Sequence, residues 1–206
     1  MVLPTSGTLA VFSAACVALL LVPGPAVLYI VAQSVGQGRR VGLASVAGIH
    51  LGTLVHVAAA AVGLSALIVA SATAFSIVKY AGAAYLVYLG VRRLLERTPV
   101  EFEHRREPLR RAFARGVVVN VLNPKTALFF LAFLPQFVDP DRGAVWPQVV
   151  ALGLVFVVLG LASDSLYAFA AGFFGRFLRR HRSILRYASG TVYVGLGAVT
   201  AFARRG

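Results

Sequence analysis

The sequence predicts an all-α membrane protein with six transmembrane helices, built as a 3+3 inverted repeat with broken first and fourth helices. Two observations predict this fold: long uncharged apolar runs, and proline interruptions at matching places in the two halves. Of the 206 residues, 59% are hydrophobic and 13% are charged, whereas an average soluble domain has about 25% charged residues. No Asp, Glu, Lys or Arg occurs from Met1 to Gly38 or from Val41 to Val78. Such runs can cross a bilayer core of roughly 30 Å.

The apolar runs predict six spans in order along the chain, separated by loops that differ in charge. The loops after the first, third and fifth spans hold fifteen Lys and Arg residues, and the opposite side holds four. The positive-inside rule therefore puts both termini outside the cytoplasm. The same placement accounts for the net charge of +13, so nucleic-acid binding is not expected. The predicted spans are residues 9–31, 41–70, 76–95, 114–137, 146–173 and 184–203.

An internal repeat divides the single predicted domain, residues 1–206, into two halves. Repeat 1 covers about residues 1–95, a cytoplasmic loop about 96–113, and repeat 2 about 114–206. The third and sixth spans align without gaps over Lys79–Gly90 and Arg186–Gly197, with Tyr, Ala, Leu and Gly kept at matching positions. Because each half has an odd number of spans, the halves insert in opposite orientations, as in many secondary transporters.

Proline interrupts the first span in the segment Leu21-Val22-Pro23-Gly24-Pro25-Ala26 and the fourth in Asn123-Pro124-Lys125. A proline has no N–H and clashes with the carbonyl four residues earlier. The freed carbonyls are those of Leu19, Leu21 and Asn120. Broken helices at corresponding places in two halves point to a transporter's binding site. We therefore expect both breaks to line one central cavity, with substrate-binding or transport residues Pro23, Gly24, Pro25, Asn120, Asn123, Pro124 and Lys125.

Asp164 is the only acidic residue within a predicted span. An aspartate at the centre of a membrane helix costs about 2.5–3.5 kcal/mol on insertion scales, so it usually marks an ion or substrate path. We expect Asp164 to couple proton movement to transport; the alternative is a structural ion pair or helix–helix hydrogen bond. Lys125 is its expected partner, or a competitor for substrate carboxylates.

A stripe of small residues in the second span predicts close helix packing, because small side chains at every fourth position let backbones approach in lipid. His56 shares this stripe and should face protein. It is either a structural histidine bonded to a neighbouring carbonyl or a proton-handling or substrate-binding residue. His50 lies off the stripe and is given no role. The stripe consists of Ala44, Gly48, Gly52, His56 and Ala60.

Several function classes are excluded by the residues that the spans lack. Cys16 is the single cysteine, which rules out an intramolecular disulfide, a CxxC redox pair and a cysteine-based metal site. The spans contain no Ser/His/Asp cluster, no HExxH and no paired carboxylates, which are the usual marks of hydrolytic and metal-dependent enzymes. We therefore expect neither an enzyme nor a cofactor.

Three segments together resemble the lysine exporter (LysE/RhtB) family, and the resemblance covers nearly the whole chain. They are Val22-Pro23-Gly24-Pro25 followed by residues 37–42, the segment beginning at Lys79, and residues 120–137. The resemblance implies a bacterial inner-membrane exporter of amino acids or close derivatives, driven by the proton gradient. Its expected partners are the small-molecule substrate, the proton and the lipid bilayer; a homodimer is left open.

Two departures from the family motif bear on the substrate. The family usually has asparagine where this chain has Ala26 and often threonine where it has Val22, which tilts the expectation towards a less polar cargo. The alternative function on the same fold is export of a divalent metal cation. One membrane aspartate, two histidines and one cysteine are few ligands for such a site.

Overall fold

The computed structural model describes residues 4–70, 72–95 and 108–180, together with the single residues 187, 191, 194, 195, 198 and 201. Every regular element within these residues is helical. The predicted sixth span, and with it the segment that resembles the third span, lies outside the described residues apart from those six positions. The α-helices are α1 (Ser6–Leu21), α2 (Pro25–Gln37), α3 (Arg39–Ala70), α4 (Ala72–Leu95), α5 (Leu109–Val121), α6 (Pro124–Leu128), α7 (Val145–Phe169) and α8 (Ala171–Arg180).

The first predicted span is a bent pair of helices, as the prolines require. Helix α1 begins after Thr5, whose hydroxyl accepts a hydrogen bond from the N–H of Thr8 at 3.1 Å. It ends at Leu21, and α2 starts at Pro25 after a bend of 52°. The chain then passes from α2 to α3 through a turn at Gly38, whose φ of +92° suits a residue without a Cβ.

The fourth predicted span is bent in the same way. Helices α5 and α6 meet at an angle of 46° around Asn123. Beyond α6 the chain winds more widely, as a π-helix over Phe129–Phe133, and then more tightly, as a 3₁₀-helix over Leu134–Phe137. Pro135 lies at this change of winding, where its missing N–H breaks the regular α-helical pattern.

Two unbroken helices are long and apolar enough to cross a membrane, over Arg39–Gly63 and Val145–Phe169; each bent pair adds one more if it counts as a span, giving up to four in the described part of the chain. The arrangement of six spans in two inverted halves remains a prediction. Two helix ends differ from the predicted ends of the spans. Helix α7 ends at Phe169, where the chain turns into α8, and α5 already begins at Leu109, inside the predicted cytoplasmic loop.

Helix α3 lies between α5 and α7 and packs on both. Gly48 and Gly52 of the small-residue stripe face α5, which confirms the predicted close packing at these two positions. A Cβ added to Gly48 would lie 2.0 Å from the Phe113 carbonyl oxygen, and one on Gly52 2.9 Å from that of Val117. From the other side, a Cβ added to Gly116 of α5 would lie 2.7 Å from the Ser45 carbonyl oxygen. The helix backbones are therefore in direct contact, which fixes the rotation of α3.

A cluster of phenylalanine rings fills the space between α1, the π-helical segment and α7. The rings of Phe129 and Phe156 are 4.5 Å apart between centroids, and Phe12 packs on Phe129 and Phe137. Phe12 and Phe129 are almost fully buried. This apolar cluster also includes Leu19, near the end of α1 at the first break.

The loop between Phe137 and α7 is fastened to α7 by one side chain. The amide of Gln148 donates to the Asp139 carbonyl at 2.8 Å and accepts from the Asp139 N–H at 3.0 Å. Gln148 is 1% exposed, so both bonds are shielded from competing solvent. The loop is thereby held against the first turns of α7.

Candidate functional site

The carbonyls freed at the first break accept hydrogen bonds from side chains of distant helices. Lys125 Nζ donates to the carbonyl oxygens of Leu19 and Val22, both at 2.7 Å. The Tyr167 hydroxyl donates to the Leu21 carbonyl at 3.0 Å. Leu19 and Leu21 are the two carbonyls that Pro23 and Pro25 set free. The residues of the break itself, from Val22 to Ala26, supply no polar side chain.

The carbonyl freed at the second break is satisfied from α3. His56 Nε2 donates to the Asn120 carbonyl oxygen at 3.0 Å, and its ring stacks on Phe130. The contact is the one expected of a structural histidine. Asn123 caps α6 at the same place, because its side-chain oxygen accepts from the Lys125 N–H at 3.1 Å.

The Asn120 side chain is the centre of a polar network whose hydrogen-bonding capacity is fully used. Its amide nitrogen donates to the Ile49 carbonyl and the Thr53 hydroxyl, at 2.9 and 2.8 Å. Its oxygen accepts from the Thr126 hydroxyl at 2.9 Å and from the Asn123 amide at 3.3 Å. A side-chain amide has two donors and two acceptor positions, so Asn120 can fix α3, α5 and α6 together but has nothing left for a ligand.

Asp164 pairs with His50, and not with Lys125 as the sequence suggested. Asp164 Oδ2 lies 3.1 Å from His50 Nε2, with the two residues 4% and 5% exposed. The ammonium group of Lys125 is instead held by the carbonyls of the first break. In the described part of the chain, the other carboxylate oxygen, Oδ1, and the other ring nitrogen, Nδ1, have no hydrogen-bond partner. Two buried polar atoms are thus available to a ligand.

A cavity of about 30 Å³ lies where the two breaks meet. That volume holds roughly two water molecules, so a whole amino acid requires the surrounding helices to move apart. Gly24, Asn120, Asn123, Lys125 and Asp164 line the cavity, whereas Pro23, Pro25, Pro124 and His56 do not. The remaining lining residues are Leu19, Leu20, Ala26, Val27, Ile49, His50, Thr53, Thr126 and Phe156.

The lining offers both signs of charge to a ligand. The free oxygen of Asp164 attracts a cation. The start of α2 has a partial positive charge and reaches the cavity at Gly24, Ala26 and Val27. Gly24 has no side chain to cap the first N–H groups. Unpaired N–H groups at a helix start favour anions. Leu20 and Phe156 add apolar surface. The site therefore suits a small molecule with an ammonium group, a carboxylate and an apolar body.

The sequence analysis did not identify His50 or Tyr167 as site residues, although the sequence shows two groups that require hydrogen-bond donors. A buried aspartate requires a hydrogen-bond donor, and α3 carries two histidines that can supply one. The carbonyl freed by Pro25 also requires a donor, and Tyr167 lies one turn after Asp164 on α7. Within the described residues, no group of three or more His, Cys, Asp or Glu side chains could hold a metal ion.

Comparisons with known proteins place the chain in a family. The family model "LysE type translocator" matches residues 17–204. The chain is 31% identical over 188 residues to an uncharacterized membrane protein of Vibrio cholerae, covering 89% of this chain and 91% of that one. It is 31% identical over 190 residues to a homoserine/homoserine lactone efflux protein of Salmonella typhimurium, covering 90% and 92%.

A leucine efflux protein of Enterobacter sp. is 28% identical over 186 residues, covering 87% of this chain and 88% of the relative. No solved structure matches the chain. The family match spans both helix breaks, Lys125 and the His50–Asp164 pair, and it confirms the resemblance found in the three sequence segments. The chain belongs to the LysE type translocator family.

Proposed function

We propose that the protein exports an amino acid or a close derivative across the bacterial inner membrane by exchange for protons. The observation that carries the proposal is the free carboxylate oxygen of Asp164, a buried residue that lines the cavity together with the start of α2. An ionised carboxylate away from water needs a positive partner. The α-ammonium group of an amino acid supplies one.

The substrate pose follows from the charges of the lining. The ammonium group binds Asp164 Oδ1, a free carboxylate faces the first N–H groups of α2, and the side chain contacts Leu20, Val27 and Phe156. Relatives are named as efflux proteins for homoserine, homoserine lactone and leucine. These three molecules share the amino group, but the lactone has no free carboxylate. This supports Asp164 as the group that every cargo requires, with the α2 contact adding selectivity for free acids.

The proton exchange rests on the negative charge of the same site, since a proton taken up there and a cargo ammonium both neutralise that charge and so compete. The fifteen-to-four asymmetry in Lys and Arg supports an orientation with both termini outside the cytoplasm. A reporter fused after Arg205 should then be active as a periplasmic fusion, and one in the 96–111 loop as a cytoplasmic fusion. The reverse pattern, or termini on opposite sides, contradicts the inverted repeat.

Replacing Asp164 with asparagine tests the proposal. The amide keeps the size of the side chain but removes its charge, and a hydrogen bond to a charged group contributes about 1.5–3 kcal/mol. We expect uphill export of leucine and homoserine, followed by metabolite profiling of the medium, to fall roughly 10- to 100-fold. Its dependence on external pH should disappear.

Asp141→Asn is the matched control, because it makes the same change at an exposed aspartate of the loop before α7. It should export like the wild type. If Asp164→Asn reaches the membrane in normal amounts and still builds a pH-driven substrate gradient, Asp164 is only structural.

A further inference from the structure

Two polar clusters border the cavity, and only one of them has bonding capacity left. Around Asn120 every side-chain donor and acceptor position is used. In the His50–Asp164 pair, one atom of each residue has no partner among the described residues, although both side chains are more than nine-tenths buried. Buried polar atoms without partners are rare in native proteins and call for an explanation. Here both belong to residues that line the cavity.

The pairing determines which nitrogen of His50 can take a proton. A carboxylate carries no hydrogen to donate, so the imidazole must donate through Nε2, the nitrogen 3.1 Å from Asp164 Oδ2. In the neutral ring, the other nitrogen then has a lone pair and accepts hydrogen bonds. That nitrogen, Nδ1, is the unpartnered one. A proton that arrives through the cavity therefore binds at Nδ1 and converts the ring to an imidazolium.

We propose that His50 is the proton-carrying residue of the exporter and that Asp164 stays ionised and binds the cargo's ammonium group. This inference rests on the proposed function and divides its two tasks between two residues. With neutral His50 the pair has a charge of −1 and attracts the ammonium group. With His50 protonated, the pair is a neutral ion pair and releases it. Export then moves one proton inward as the Nδ1–H bond forms on one side of the membrane and breaks to water on the other.

The other charged and titratable groups around the pair have separate partners. Lys125 of α6 also lines the cavity and donates to the Leu19 and Val22 carbonyls. On α7, Tyr167 donates to the Leu21 carbonyl, and on α2, Tyr29 donates to the Ala112 carbonyl. His56, one and a half turns along α3 from His50, donates to the Asn120 carbonyl and lies outside the lining.

The described side chains of α4 and α5 place no titratable group in the cavity lining, and neither does Cys16 of α1. Gly160 provides the space for the imidazole ring. A Cβ on Gly160 would lie 2.6 Å from His50 Cε1, so the ring fits only because residue 160 has no side chain. The contact places the ring between α3 and α7, one turn before Asp164.

Transport by the full-length protein in proteoliposomes tests the division of tasks, with labelled leucine and homoserine as probes. One assay measures exchange at equal substrate concentrations, which needs no net proton movement. The other measures uphill accumulation and proton entry under a pH gradient. His50→Gln retains a donor for Asp164 but cannot carry a proton at Nδ1. We expect it to keep exchange and to lose proton entry and uphill transport by about tenfold or more.

The comparison variants separate this inference from the proposed function. Asp164→Asn should lose both exchange and uphill transport. His56→Gln, which changes the other histidine of α3, should keep the pH dependence of transport. If His50→Gln still couples transport to the pH gradient like the wild type, the inference is wrong. It is also wrong if His50→Gln loses exchange as completely as Asp164→Asn, because His50 is then part of the substrate site.

If the protein transports neither leucine nor homoserine, the proposed function is contradicted. A measurement that needs no transport still tests the inference about His50. The protein is labelled with ¹⁵N-histidine in lipid nanodiscs, and the resonance of His50 is identified by its absence in His50→Gln. We expect the neutral ring to carry its hydrogen on Nε2 and to leave Nδ1 open to a proton. A neutral ring whose Nδ1 carries the hydrogen overturns the inference. Gly160→Ala should alter the resonance of His50 by displacing the ring.

Discussion

In the part of the chain that the structure describes, the carbonyls of Leu19, Leu21 and Val22 at the first helix break accept hydrogen bonds from side chains of α6 and α7, apart from a short turn bond to Leu19. At the second break, asparagine and threonine side chains of the break itself bond to one another, and Ile49, Thr53 and His56 of α3 complete the network. The first break therefore has no polar side chain of its own and relies on donors from α6 and α7, whereas the second combines its own polar side chains with partners on α3.

This difference indicates which break can respond when the helices move. Separating α6 from α1 leaves two buried carbonyls without their donor, and each unsatisfied group costs about 1–3 kcal/mol. The same separation leaves intact the network around Asn120, which joins α3, α5 and α6 to one another. In a transporter, the first break is thus the part whose hydrogen bonding changes with conformation. Three sets of variants can break or sharpen this comparison.

The largest effect is expected from Lys125→Met. The thioether side chain cannot donate, so the carbonyls of Leu19 and Val22 lose their donor at a cost of about 1–3 kcal/mol each. We expect a clearly lower midpoint of thermal unfolding in detergent and loss of export. Lys125→Arg keeps the charge and the donors and should recover part of both. A Lys125→Met protein with wild-type stability and export would show that the first break does not depend on α6.

Replacing the prolines should have a smaller effect on stability and an unequal effect on export. Alanine at position 25 or 124 can donate to the carbonyl four residues earlier and so straightens the helix. Both variants should fold and reach the membrane. Export is expected to be abolished in Pro25→Ala and to fall less in Pro124→Ala, where Asn123 still caps α6. If both variants export normally, the breaks are simple kinks and the site lies elsewhere.

The smallest effect is expected from Tyr167→Phe, which removes one neutral hydrogen bond to the Leu21 carbonyl, of about 0.5–1.5 kcal/mol. Tyr29→Phe is the matched control, because the Tyr29 hydroxyl donates to the Ala112 carbonyl at 2.9 Å, away from both breaks. Unfolding midpoints should drop by similar amounts in the two variants. Only Tyr167→Phe should slow export. Equal export rates would mean that the hydroxyl of Tyr167 matters for stability alone.

Local chemistry explains what the sequence could predict. Hydropathy locates the helices, and proline chemistry identifies the carbonyls of Leu19, Leu21 and Asn120, because both depend on near neighbours in the chain. The stripe at Gly48 and Gly52 correctly indicates a face of α3 that touches another helix backbone.

The partner of Asp164 could not be predicted in this way, because it depends on which helix lies against which face of α3. His50 and His56 are about 240° apart around the helix, so the face packed on α5 leaves His50 directed towards α7. Sequence spacing gives that angle but not the neighbour. The hydrogen bonds of Lys125 could not be predicted for a similar reason: they go to the Leu19 and Val22 carbonyls, which lie more than a hundred residues away in the chain.

The bonds between Gln148 and the backbone of Asp139 have a mechanical consequence. They fasten the loop after the second break to α7, so that this connection links α6, which carries Lys125, to α7, which carries Asp164. When the two helices move together relative to α1 and α2, the cation and the anion of the site move as a unit. What changes is their distance from the Leu19 and Val22 carbonyls. Such a movement releases the end of α1, while Asn120 keeps α3, α5 and α6 joined.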